Sequence, residues 1–122
     1  MSRMDSSNQN LVELQRAICE RAKTTPAYLL PVDRIGIGRD FDPAGKPING
    51  LRHPAHGNMC GWYIWSGEML SEDSDYFNVI CYEHIVANAW DWVQYLALPE
   101  GWRFLAAPGY EDIWFDQALF EI

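Results

Sequence analysis

His53, His56 and Cys60 fall in one short stretch, and two imidazoles with a thiol could serve either a zinc ion or a nucleophilic centre. Zinc wants four nitrogen or sulfur ligands in a tetrahedron, usually from closely spaced pairs. Here the remaining ligand would have to come from Cys81 or His84, and no second close pair exists. A Cys–His nucleophile needs an imidazole within hydrogen-bond reach and an oxyanion hole. The simpler reading is loop histidines that hydrogen-bond locally and a small buried thiol, so no catalytic residue, metal or cofactor is assigned. The acids suggest binding instead of bond-making. Glu68, Glu72, Asp73 and Asp75 form one acidic stretch, without the Asp-x-Asp-x-Asp-Gly spacing of a calcium loop. Glu111, Asp112 and Asp116 form a second, interleaved with Tyr110, Trp114 and Phe115. These two stretches are the candidate partner-binding surface.

The elements that must position them can be read from periodicity. Pro108-Gly109 separates two aromatic and aliphatic runs, Trp102 to Ala107 and Ile113 to Phe115, predicting a strand, a loose loop and a second strand paired as a hairpin. Gly61 to Glu68 holds a similar ribbon, with aromatics on both faces, as expected for a central strand buried on both sides. Leu11, Leu14, Ile18 and Ala22 recur at helical spacing after a capping pattern at Ser6–Gln9, so an amphipathic helix is expected up to Thr24-Thr25, before Pro26. Pro26 to Pro31 reads as a hinge that offers Tyr28, Leu29 and Leu30 to the core.

Arg34 to Arg39 alternates aliphatic residues with glycine and predicts a strand packed on one face. Its glycines lack the spacing of a phosphate-binding loop and are expected to admit a bulge or a neighbouring backbone. Asp40 to Gly57, dense in proline and glycine, predicts a long surface excursion. Tyr76 to Tyr82 predicts a further strand, a second helix is expected from about Ala89 to Ala97, and Ala118 to Ile122 should pack. The fold class that follows is α+β: one small domain over 1–122, mainly antiparallel sheet. An N-terminal helix and hinge (1–32) precede the core (33–122).

The chain has 122 residues, 48% of them hydrophobic, enough to build one core and too many for a disordered protein. No apolar run approaches the ~20 residues of a membrane span, and the polar N-terminus is unlike a secretory signal. Three cysteines at irregular spacing make a poor disulfide framework and fit a reducing cytoplasm. The net charge of −8 is unevenly spread. Residues 1–52 carry eight basic and six acidic side chains, and residues 53–122 carry one and eleven. Such a field disfavours nucleic acid and anionic membranes and favours cationic partners. Acids that merely keep an aromatic surface soluble would give the same composition.

Gly61 to Glu68, Tyr82-Glu83-His84-Ile85, Tyr95 to Pro99 and Gly101 to Asp112 together resemble a bacterial immunity-protein family, the thirty-third immunity class of polymorphic toxin systems. The resemblance covers about residues 33 to 118 and implies a small α+β protein that blocks a cognate toxin inside the producing cell. It does not name the toxin or the residues that touch it. A non-enzymatic inhibitor of a basic toxin would use the acidic face to steer encounter and its Tyr and Trp residues as anchors. Two other readings stand beside it. One is a small enzyme or metal-binding protein using His53, His56, Cys60 or His84, and the other is a structural domain whose exposed aromatics make a homodimer.

Overall fold

In the computed structural model, which describes residues 3–67, 76–88 and 90–121, six strands form one sheet. The strands are β1 (Arg34–Gly38), β2 (Ile48–Arg52), β3 (Met59–Ser66), β4 (Phe77–Cys81), β5 (Trp102–Ala107) and β6 (Tyr110–Phe115). Their spatial order is β4-β1-β3-β2-β5-β6. Every pairing is antiparallel except β1 with β3, which is parallel and carries a register shift between Arg34 and Gly36. With the helices α1 (Arg3–Ala22) and α2 (Tyr82–Val86), this is the α+β architecture expected from the sequence.

One face of the sheet is covered and holds the main core. Ile35, Ile37, Ile48, Trp62, Ile64 and Phe104 point into it from the strands, and Ile18 and Cys19 meet them from α1. Residues 92–98 complete that layer, with Leu96, Ala97 and Leu98 fully buried. Among the described residues the other face is only partly covered, by a smaller cluster of Leu51, Trp65, Tyr76 and Leu119, with Tyr63 and Phe77 against it. β3 therefore buries Trp62 and Ile64 on one side and Trp65 on the other, as a central strand should.

The buried stripe of α1 is not the one its leucines suggest. Leu14 is 52% exposed, while Gln15, Ile18 and Cys19 are buried. Gln15 is accepted into the core because its Nε2 donates to the Tyr82 hydroxyl at 2.9 Å and to the Val93 carbonyl at 3.1 Å. The helix also starts earlier than the capping pattern, placing Ser6–Gln9 inside it, since neither glycine nor proline interrupts Arg3–Ser7. It ends at Ala22 through Lys23, whose φ of 61° lets Thr24 N–H reach the Cys19 carbonyl at 3.0 Å.

Other expectations are corrected as well. Asp40 to Gly57 is not wholly an excursion, because Ile48–Arg52 forms β2 between β3 and β5 at the centre of the sheet. Gly50 is what makes this strand fit, since a Cβ there would stand 2.2 Å from the Phe104 ring. The expected helix at 89–97 is instead α2 at 82–86 followed by a 3₁₀ turn at Asp91–Tyr95; Trp90, with extended backbone, stands between them. The hairpin loop is tight, with Ala107 opposite Tyr110 across two turn residues and Gly109 at φ 70°. Of the β1 glycines, Gly36 borders the register shift and Gly38 does not, and what both admit is aromatic rings. A Cβ at Gly36 would meet Tyr63 at 2.6 Å, and one at Gly38 would meet Tyr76 at 2.8 Å. In the hinge, Leu29 packs on the core while Tyr28 and Leu30 stay exposed, because Leu30 and Asp33 close a small turn on each other. At the C-terminal end, a 3₁₀ turn at Gln117–Phe120 buries Leu119 and leaves Phe120 exposed.

Candidate functional site

The residues that could do covalent or metal chemistry are dispersed. Cys60 is buried in the main core and its thiol is pushed up by that burial, away from the reactive thiolate. His53 belongs to the other side of the sheet, where its ring meets Tyr63 edge-on at 5.8 Å and its Nδ1 lies 3.2 Å from the Leu119 carbonyl. His56 is exposed in the turn before β3, His84 is exposed on α2, and Cys81 ends the edge strand β4. Among the described residues no three His, Cys, Asp or Glu side chains gather as a metal site, and no hydrogen bond joins a cysteine to a histidine.

The acidic candidates separate into three situations. Glu68, Glu72, Asp73 and Asp75 lie outside the described residues. Glu111 and Asp116 are already engaged. Glu111 bridges two elements of the covered face, with Oε1 2.7 Å from Arg21 Nη2 and Oε2 accepting from the Tyr95 hydroxyl at 2.5 Å. Burial first, and that bond second, push the Tyr95 phenol well above its ordinary range. Asp116 accepts from Arg103 Nη1 at 3.0 Å and from the Ala118 N–H at 3.1 Å, capping the last 3₁₀ turn; the arginine bond holds its carboxyl below the usual range. Asp112 alone of the three in this stretch is exposed with its carboxylate in no ion pair or hydrogen bond among the described residues.

Alternation along β6 sorts the aromatics in the same way. Tyr110, Asp112 and Trp114 project to the less covered face, with Arg103 over the Trp114 ring at 5.3 Å. Glu111, Ile113 and Phe115 project to the opposite one. Tyr110 is 57% exposed at the hairpin end. Beside it opens a groove of about 630 Å³, between the 43–46 loop, the 3₁₀ turn 91–95 and the end of β5. Two indoles, Trp90 and Trp92, line that groove, stacked at 5.4 Å and 22°, and Phe41 meets both edge-on. Asp91 and Lys46 stand among the lining side chains. A flat aromatic wall with a carboxylate beside it suits an aliphatic stem ending in a cation.

One buried group escaped the sequence reading altogether. Arg52 is 6% exposed and, among the described residues, has no carboxylate partner. Its Nε donates to the Cys60 carbonyl at 3.0 Å, and Nη1 donates to Ala27 and Leu98 carbonyls at 3.1 and 2.8 Å. The guanidinium also lies 5.9 Å from the centre of the Trp62 ring. It ties the hinge and the 96–98 segment to the sheet. The signal was the period-two spacing Ile48, Gly50, Arg52, hidden by the prolines around it.

A family model for the Imm33-like domain matches residues 14–116, from the middle of α1 to the end of β6. No curated protein and no solved structure matches the chain.

Proposed function

The chain belongs to the Imm33-like family, and from that premise we propose that it is a non-enzymatic immunity protein, acting in the cytoplasm by binding and neutralising a cognate basic toxin. The observation that carries the reading is the hairpin end, where exposed Tyr110 lines a groove walled by stacked indoles and Asp112, two residues further along β6, is in no ion pair or hydrogen bond among the described residues. Tyrosine and tryptophan supply contact area with few rotatable bonds, and an unpaired carboxylate attracts a cation without first breaking an internal bond. The uneven charge of the sequence adds a long-range field of the same sign. Trp114 and the acids at 68, 72, 73 and 75 extend the surface in this proposal. Glu111 and Asp116 hold its shape.

The test is co-purification with the product of the adjacent gene, followed by binding kinetics. A tight 1:1 complex is expected with a basic protein. Asp112→Lys should slow association by roughly 3- to 10-fold at low salt and flatten the salt dependence, with thermal stability unchanged. Tyr110→Ala should cost about 2 kcal/mol of affinity through faster dissociation. Unaltered kinetics in both variants, or the absence of any such complex, would overturn the proposal.

A further inference from the structure

A second cleft, of about 390 Å³, opens on the less covered face of the sheet, lined chiefly by Leu51, His53, Met59, Tyr63, Trp65 and Phe77. Its volume falls in the range of small-ligand sites, roughly 300–1,000 Å³, and its walls are mostly ring and aliphatic carbon. Those walls are held in place. Tyr63 meets His53 at 5.8 Å and Phe77 at 5.1 Å, both edge-on, and His53 is fixed through Nδ1 at the Leu119 carbonyl. Behind Tyr63, β1 is glycine at the position where a Cβ would strike that ring. The floor is equally constrained, because a Cβ at Gly61 would stand 1.9 Å from the His53 carbonyl oxygen.

One group in this wall is incomplete. Trp65 is 5% exposed, and its indole N–H is shielded from solvent with no acceptor among the described residues. Buried donors in folded proteins are nearly always paired, so an orphan at a cleft wall suits an acceptor brought by a ligand. We infer that this cleft is a binding site for a small planar aromatic molecule bearing a carbonyl-type acceptor, the ring lying among Tyr63, Phe77 and His53 and the acceptor taking the Trp65 N–H by a small shift of the wall. An anion is disfavoured, because no Lys or Arg lines the cleft. A purely apolar guest would leave the indole as it stands.

The inference needs no toxin, so its test is independent of the immunity reading. Acetophenone and α-methylstyrene have the same shape and differ in the carbonyl oxygen. In nitrogen–proton correlation spectra of the full chain, the six tryptophan side-chain N–H signals report each donor separately. Trp65→Phe identifies the relevant signal by its loss. Acetophenone at millimolar concentration should shift that signal saturably, and α-methylstyrene should bind at least several-fold more weakly without shifting it. In Trp65→Phe the two compounds should bind alike. If that variant fails to fold, the pair of compounds on the unaltered protein, with the signal assigned by backbone methods, still decides. Equal binding of both, or an unmoved Trp65 signal with acetophenone, overturns the inference.

Discussion

Arg52 carries a full charge into the core, where three carbonyl oxygens and the Trp62 ring receive it among the described residues. Burial pulls its pKa down from the ordinary arginine value, yet a guanidinium titrates so high that it remains a cation. Truncation would orphan the carbonyls of Ala27, Cys60 and Leu98 together. Arg52→Ala should therefore destabilise the fold by about 3 kcal/mol or more in urea unfolding. Arg52→Lys should recover only part of this, because an ammonium lacks the planar fork that reaches both sides. A near-neutral result would mean that the three carbonyls find other donors. At this scale the sequence was a poor guide. A lone arginine next to a histidine reads as surface, and only its place in a strand reveals that it faces inward. Asp112 was legible as exposed, whereas Glu111 and Asp116 share its composition and differ only in the neighbours that the fold supplies.

Elements were legible where the pattern was local. The β5–β6 hairpin follows from Pro108-Gly109 between two apolar runs, and β3 follows from its doubled aromatic faces. β2 was hidden because five residues between prolines and glycines give too little alternation to outweigh the turn signals, although the strand sits at the centre of the sheet. The helical spacing after Asn88 misled for a related reason. Its apolar residues are buried by tertiary contacts on every side, so the chain there needs no helix to hide them. Gly50 tests the account of β2. Its missing side chain makes room for Phe104, which is itself held by Tyr95 at 4.5 Å and Trp62 at 5.6 Å. Gly50→Ala should cost roughly 1–3 kcal/mol by overpacking. Gly57→Ala, with nothing near the added methyl, should cost only the strain of its positive φ, on the order of 1 kcal/mol. Thermal unfolding of the pair separates packing from backbone strain.

For the whole molecule, pH offers the broadest check. Tyr76, Tyr82 and Tyr95 all hold their protons more tightly than free phenols, through burial first. Tyr76, which also donates to Asp40, is pushed up to about 12. An unfolded chain releases these protons near pH 10. The folded pKa values are the higher ones, so the stabilisation is complete below about pH 10 and is lost as the pH rises through them, through about 12 for Tyr76. A spectrophotometric titration should find Tyr76, Tyr82 and Tyr95 ionising late, and stability to urea should fall as they ionise. Tyr76→Phe and Tyr95→Phe should each remove one late transition. Ionisation of Tyr76, Tyr82 and Tyr95 near pH 10 would contradict the packing described for them.

The bridge from Glu111 to Arg21 and Tyr95 joins the last strand to the first helix, and Gln15 of that helix bonds to residues 82 and 93. A ribosome delivers α1 long before any of these contacts exists. The nascent helix must wait, with Ile18 and Cys19 uncovered, until the downstream layer emerges. A message cut short before β6 would yield a chain with neither a closed core nor the Tyr110 surface, so loss of folding and loss of binding coincide in truncated products.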